Sequence, residues 1–225
     1  MEAVTMRLPY FRFNFNPMNE IYQGLLNGFH EMTTLEIIAV FFAVLSVIFQ
    51  KKNNILVYPT GLVSTGIYVY LLSHSHFKLY AEATLNAYYF VMSVYGWIYW
   101  ARRKGASQEP VKISFSSART MGVAIGIAAV GWAVFYILLA KFSDSTTPVV
   151  DSFVSATACA GMWLLAKRKV ENWILLNISN LVAIPLLFYK HLYLTSLLTI
   201  FLFIIAIFGY ISWRKEGLAN ESAHA

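Results

Sequence analysis

The sequence has one cysteine, Cys159, in 225 residues. That excludes a disulfide within the chain and any cysteine-based metal cluster. Charge is scarce as well, at 12% Asp, Glu, Lys and Arg, about half the share of an ordinary soluble domain. No glycine-rich phosphate loop ending in Lys-Ser/Thr is present, so the chain does not itself hydrolyse ATP. No HExxH pattern and no Cys/His cluster is present either. No Ser/His pair lies within the apolar segments, and no lysine sits mid-way along the last of them, which excludes intramembrane proteolysis and a retinal Schiff base. No catalytic residue, metal ligand or cofactor is therefore assigned, and His74 and His76, two apart in a connection, read as solvated side chains. What the chain has in abundance is apolar surface, with 58% hydrophobic and 16% aromatic residues. That excludes intrinsic disorder and disfavours a soluble domain.

A membrane helix needs about 20 predominantly apolar residues. Seven stretches qualify, running near Leu35–Gln50, Ile55–Leu72, Leu79–Trp100, Met121–Ala140, Val149–Ala166, Trp173–Tyr189 and Leu192–Trp213. The first and fifth are short, and each has an acid near its start. Residues 1–34 lack the pattern of a signal peptide. Within them, apolar positions 18, 21, 22, 25, 26 and 29 have helical spacing, which predicts an amphipathic surface helix, the alternative being a disordered tail. Gly24 and Gly28 in this segment read as incidental.

Lys and Arg gather on the cytoplasmic side of membrane proteins. Lys51, Lys52, Arg102, Arg103, Lys104, Lys112, Arg119, Lys167, Arg168, Lys169, Arg214 and Lys215 fall in alternate connections, 12 on one side. Arg7, Arg12, Lys78, Lys141 and Lys190 make 5 on the other. The N-terminus is then outside and the C-terminus inside. The net charge of +6 becomes an orientation signal, and a nucleic-acid partner loses its support.

The chain also repeats itself. Tyr95-Gly96-Trp97-Ile98-Tyr99-Trp100 closes the third span, and Phe208-Gly209-Tyr210-Ile211-Ser212-Trp213 closes the seventh, 113 positions later. Lys78-Leu79-Tyr80 matches His191-Leu192-Tyr193 at the same offset. Lys52 and Asn54 before the second span resemble Lys169 and Asn172 before the sixth. The expected architecture is all-α and polytopic, with seven transmembrane helices in a 3+1+3 parallel-repeat arrangement. Its parts are an extracytoplasmic segment (1–34), a first three-helix repeat (35–100), a cytoplasmic loop with a linker helix (101–148), a second repeat (149–213) and a cytoplasmic tail (214–225). Repeats of this kind are related by an axis along the membrane normal, with the solute site near the midplane between them.

Ionisable groups within spans are costly and become functional candidates. Glu36, Glu82 and Asp151 lie near the outer ends of their spans and Glu171 at the inner start of the sixth. Three outer carboxylates can form a funnel for a cationic solute; acids in a first helical turn also satisfy the helix dipole. Glu82, Asn86, Tyr89, Ser93 and Trp97 make one helical stripe, and Trp173, Asn177, Asn180 and Ile184 make a second. A carboxamide both donates and accepts, and a Trp or Tyr face stacks on a flat, positively charged ring. The stripes suit a small, planar, polar solute, and equally suit interhelical hydrogen bonding. Trp100 and Trp213, at span ends, read as interface anchors. Pro59 with Gly61, and Pro185, mark either helix breaks lining a cavity or packing kinks.

The chain resembles the PnuC-type bacterial vitamin transporter family over about residues 34 to 215. The resemblance rests on Asn53-Asn54 ahead of Pro59-Thr60-Gly61-Leu62, Leu79-Tyr80-Ala81-Glu82, Tyr88-Tyr89, and the Tyr95–Trp100 run. In the second half it rests on Lys169-Val170-Glu171-Asn172-Trp173, Tyr189-Lys190-His191-Leu192-Tyr193, and Gly209-Tyr210 with Trp213. It implies seven helices, a homotrimer in the inner membrane, and uptake of nicotinamide riboside by facilitated diffusion, with a cytoplasmic kinase trapping the solute. It also implies that Trp173 and Asn177 bind the solute. Asn180, Asn86, Tyr89 and Glu82 complete the candidate site from the stripes. Where relatives often carry an aromatic, Leu176 stands here, which keeps thiamine and riboflavin as alternative solutes. A seven-helix receptor is the remaining reading, with little chain outside the spans to serve as an output domain.

Overall fold

The structure is a computed structural model that describes residues 17–74, 80–104 and 109–223. Arg7, Arg12, His76, Lys78 and Leu79, used above, lie outside the described residues. Eight helices follow one another among the described residues: α1 (Pro17–Glu31), α2 (Thr34–Lys51), α3 (Val57–His74), α4 (Tyr80–Ala101), α5 (Ala118–Phe142), α6 (Pro148–Ala166), α7 (Asn172–Tyr189) and α8 (Tyr193–Ser222). Between α4 and α5, Arg103–Lys104 pairs antiparallel with Glu109–Pro110, a minimal ribbon that the all-helical expectation does not contain.

Five of these helices, α2, α5, α6, α7 and α8, are long and apolar enough to cross a membrane. The short first and fifth stretches are among them. Their acids act as local fasteners. Thr33 and Glu36 form a capping box at the start of α2, which satisfies otherwise orphaned backbone donors. Asp151 in the first turn of α6 accepts from Lys190 Nζ at 2.6 Å and from Thr147 Oγ1 at 3.2 Å. Large apolar side chains are freely exposed on the outside of the bundle, for example Ile125 and Val130 of α5 and Phe41 of α2. Contiguous surface of this kind needs lipid as its solvent. The protein is an all-helical, multi-pass membrane protein.

Helices α2, α3 and α4 pack in succession, as do α6, α7 and α8, and α5 lies along α6. The two triplets meet through α2 with α8 and through α4 with α6. Their turns are built alike. After α2, Asn53 N donates to Gln50 O (3.0 Å) and Asn54 N to Phe49 O (2.9 Å); after α6, Arg168 N donates to Leu165 O (2.8 Å) and Lys169 N to Leu164 O (3.0 Å). Asn53 and Arg168 both take left-handed backbone, φ 53° and 58°. These equivalences run at 115 positions, not the 113 of the later motif. The difference equals the difference in spacing between helices, five residues from α3 to α4 against three from α7 to α8. Lys52 and Asn54 therefore do not correspond in place to Lys169 and Asn172.

Each triplet buries an aromatic ring on a bare glycine. Tyr58 of α3 lies on Gly96 of α4, where an added Cβ would sit 2.3 Å from Tyr58 Cε1. Trp173 of α7 lies on Gly209 of α8, where the Cβ would sit 2.6 Å from Trp173 Cη2. Tyr58 meets Trp100 edge-on (5.0 Å, 89°), Trp173 meets Trp213 edge-on (5.8 Å, 89°), and the two terminal Trp rings meet at 6.0 Å. Trp100 and Trp213 are thus core residues, 3% and 0% exposed, and not interface anchors. A Trp at a span end reads the same in sequence whether it faces headgroups or a second helical unit.

Three further expectations change. The tail is not separate, because α8 continues to Ser222. Asn220 Nδ2 donates to Ile113 O at 2.9 Å and Gly217 abuts Phe115 and Val170, so the added turns are held by packing. Gly24 and Gly28 are not incidental: added Cβ atoms would fall 2.2 Å from the Tyr193 ring and 3.2 Å from Leu194 Cβ. They let α1 lie close on the start of α8. Neither proline breaks its helix; Pro59 occupies the first turn of α3, where a missing N–H costs nothing, and α7 runs through Pro185.

Gly96→Ala and Gly209→Ala each force a buried ring to move and are expected to lower the unfolding temperature in detergent. The cost is that of an overpacked core, about 1–3 kcal/mol. Gly122→Ala, whose methyl would meet nothing within 4 Å, leaves the transition unchanged or slightly higher.

Candidate solute site

The start of α7 is fixed from three sides. Ser114 and Lys169 form a bridge of backbone hydrogen bonds. The Glu171 carboxylate accepts from Ser116 N at 3.0 Å and Ser116 Oγ at 2.7 Å. Asn172, fully buried, donates from Nδ2 to Lys169 O (2.6 Å) and accepts from Gln50 Nε2 (2.9 Å). Trp213 Nε1 donates to Gln50 O (3.1 Å). Glu171 is accordingly a loop fastener. The Lys-Val-Glu-Asn run before Trp173 orients that ring with no contribution from its own N–H.

Above this floor, four buried polar atoms have no partner in the protein: Tyr58 Oη, Trp100 Nε1, Trp173 Nε1 and Asn177 Oδ1. Buried polar atoms are nearly always bonded, so these four atoms on α3, α4 and α7 are candidate donors and acceptors for a solute. Three come from the ring cluster; Asn177 lies one turn further along α7. Leu176 points elsewhere, into the notch at Gly161 of α6, where an added Cβ would be 2.9 Å from its Cδ2. A larger aromatic at that position has no room against α6.

The candidate residues fall into two groups. Trp173, Asn177 and Asn180 stay together on α7, the first buried and the others half-buried. Glu82, Asn86 and Tyr89 are on α4, which packs against α6 and not along α7. Asn86 Nδ2 donates to the Glu82 carbonyl on its own helix at 2.9 Å. Glu82 is exposed, and Tyr89 packs edge-on against Tyr88. The α4 stripe does not share one environment, since Ser93 is buried near Gly61 while Trp97 is 42% exposed. Sequence reasoning passed over Tyr58, which follows from placing the repeat at 115 positions from Trp173.

At the end of the rings where α2 turns into α3 and α6 into α7 lies Arg168. Its Nε donates to Asn53 Oδ1 at 3.0 Å, another guanidinium nitrogen donates to the Val111 carbonyl, and its charge sits 4.1 Å from the Trp100 ring centroid. Burial pulls the guanidinium below its usual range, while Tyr58 and Glu216 push it back up; it remains charged at physiological pH.

The family described as "Nicotinamide mononucleotide transporter" matches residues 33–215. The nicotinamide riboside transporter PnuC of Neisseria mucosa (strain ATCC 25996 / DSM 4631 / NCTC 10774 / M26) is 27% identical over 205 residues, 86% of this chain and 76% of that protein. The nicotinamide riboside transporter PnuC of Escherichia coli (strain K12) is 20% identical over 219 residues, 87% and 91% of the two chains. A crystal structure of the vitamin B3 transporter PnuC shares the fold with a TM-score of 0.66 at 22% identity, covering 90% of each chain.

Asn172→Ala strands the Gln50 carboxamide in the core and is expected to cost about 1–3 kcal/mol of stability. Combining Gln50→Leu with Asn172→Leu removes both partners and recovers part of that loss. Thermal unfolding of the purified variants reads both.

Proposed function

The chain belongs to the nicotinamide mononucleotide transporter family, and we propose that it carries nicotinamide riboside into the cell. It is a membrane transporter and not an enzyme. The observation that carries the choice of solute is the set of unpartnered buried atoms. Tyr58 Oη, Trp100 Nε1, Trp173 Nε1 and Asn177 Oδ1 are all uncharged, and suit hydroxyls and a carboxamide. A mononucleotide adds a phosphate, which calls for a basic fork. Among the described residues, the charge beside these atoms is Arg168, already bonded to Asn53 and Val111. The indole of Trp173 offers its face to a pyridinium ring. Asn180 lies further along the same helix, and Asn86, Tyr89 and Glu82 belong to the path from the outside.

The architecture we propose has seven spans, α2 to α8, in a 3+1+3 parallel repeat about an axis along the membrane normal. Supporting it are the matched turns at Asn53 and Arg168, the matched ring-on-glycine contacts, and the matched interfaces of α2 with α8 and α4 with α6. Helices α3 and α4 complete the count; their tyrosines and tryptophans lower their hydropathy without adding charge. The distribution of Lys and Arg supports an outer N-terminus, a cytoplasmic C-terminus and residence in a bacterial inner membrane. Protomers associate as a homotrimer. Solute crosses by facilitated diffusion as the two triplets rock, and a cytoplasmic kinase holds it by phosphorylation.

In proteoliposomes without ATP or ion gradients, radiolabelled nicotinamide riboside is expected to equilibrate and to accumulate only when a riboside kinase is enclosed. Excess unlabelled thiamine or riboflavin leaves uptake unchanged. Asn177→Ala raises the half-saturating concentration about tenfold, the value of one hydrogen bond near 1.4 kcal/mol, with the amount of protein in the membrane unaltered. Accumulation above equilibrium without a kinase overturns facilitated diffusion.

A further inference from the structure

We propose that Arg168 is the bolt of a cytoplasmic gate, which closes the inner end of the path between the two helical triplets. The inference rests on the transport reading above and adds a residue that the reading does not contain.

The contacts between the triplets are distributed unevenly along the membrane normal. Among the described residues, their polar and cation contacts gather at the cytoplasmic end. Gln50 holds Asn172, Trp213 holds Gln50, and Arg168 holds Asn53. Lys51 of α2 lies over the Phe208 ring of α8 at 5.1 Å, and Lys167 beside α6 lies over Tyr99 and Tyr95 of α4 at 4.7 and 5.0 Å. Further out, Tyr88 Oη donates to the Cys159 carbonyl, near the middle of both helices. Asp151 with Lys190, near the outer end, ties α6 to α7 inside one triplet. The arrangement is fastened on the inside.

Arg168 is where these fastenings converge. It belongs to the second triplet, yet it bonds Asn53 and covers Trp100 of the first, and it reaches Val111 of the connection between them. Glu216 of α8 accepts from Asn53 Nδ2 at 2.7 Å, so the second triplet grips the Asn53 side chain at both its amide oxygen and its amide nitrogen. Both left-handed turns, at Asn53 and Arg168, direct their side chains to this one junction; such backbone is uncommon outside glycine and asparagine. The acceptors bonded directly to the guanidinium are neutral, and a buried charge held in this way is only partly compensated for lost hydration. Opening breaks its hydrogen bonds but returns the charge to water, so the closed and open states lie close in free energy. A pyridinium solute arriving above Trp100 repels the guanidinium and favours that release.

The test uses the full chain in proteoliposomes, with Cys159→Ala as background. In one arm, Asn53→Cys with Arg168→Cys, or Lys51→Cys with Phe208→Cys, is bridged by a short bifunctional methanethiosulfonate reagent. Flux of nicotinamide riboside is expected to fall about tenfold on bridging and to return on reduction, a reversal that a merely structural role does not give. A bridge verified by mass spectrometry that leaves flux unchanged overturns the gate. In the second arm, Asn177→Cys is labelled from the cytoplasmic side by a membrane-impermeant thiol reagent. Adding Arg168→Ala is expected to speed labelling about tenfold, and an unchanged rate overturns the gate. This arm does not use the solute. If the unbridged protein carries no nicotinamide riboside, the transport reading fails while the labelling still decides the gate.

Discussion

Everything in this protein is arranged around two aromatic rings lying on bare backbone. Tyr58 on Gly96 and Trp173 on Gly209 bring helix axes close enough for the terminal Trp100 and Trp213 to meet. In a bilayer, lipid tails are as apolar as the side chains, so helices gain little from hydrophobic burial and depend on close packing. A glycine beneath a large ring supplies that closeness, with the ring covering the exposed helix backbone. Doing so twice, at equivalent places, makes the junction between triplets a stack of four rings with nearly right-angled contacts within each triplet.

The polar groups follow from that junction. Once the rings are fixed, the Tyr58 O–H and the Trp100 and Trp173 N–H groups have no protein acceptor, while the Trp213 N–H donates to Gln50 O. Asn172, Gln50 and Glu171 satisfy one another or the loop, while Asn177 Oδ1, one turn along the same helix, has no protein partner. In the function proposed, Asn172 serves stability, Asn177 serves solute capture, and Trp173 between them serves both.

Much of the fold was legible in the residues, because apolar runs of about the bilayer thickness leave few alternatives. The likeness between the two triplets was legible where it carries aromatics and glycine, at Tyr95–Trp100 and Phe208–Trp213. The pairing of Lys52 and Asn54 with Lys169 and Asn172 was misplaced, because the spacings from α3 to α4 and from α7 to α8 differ by two residues and a single offset cannot serve both triplets throughout. Trp100 and Trp213 were misread because a span end and an intramolecular seam favour the same residue. Gly24 and Gly28 carried the small-residue spacing of a packed helix pair but no sign of a partner. Of the candidate site, the α7 face was legible from its period. The α4 stripe was not, since periodicity groups residues on a face without saying what that face meets. Arg168 looked like one more topology signal, and only its backbone and neighbours distinguish it from Lys167 and Lys169.

The length of α8 has a mechanical meaning. Thirty residues at about 1.5 Å each make a rod of about 45 Å, half as long again as the hydrocarbon core. Its N-terminal end is clasped by α1 through Gly24 and Gly28, and its C-terminal end reaches Asn53 through Glu216 and Ile113 through Asn220. A stiff rod held at both ends converts a tilt of about 5° into a displacement of about 4 Å at its tip. That is more than the length of a hydrogen bond. The amphipathic segment at one end and the turn at the other are in this sense two handles of one lever, and the N-terminal helix has leverage over a junction it never touches.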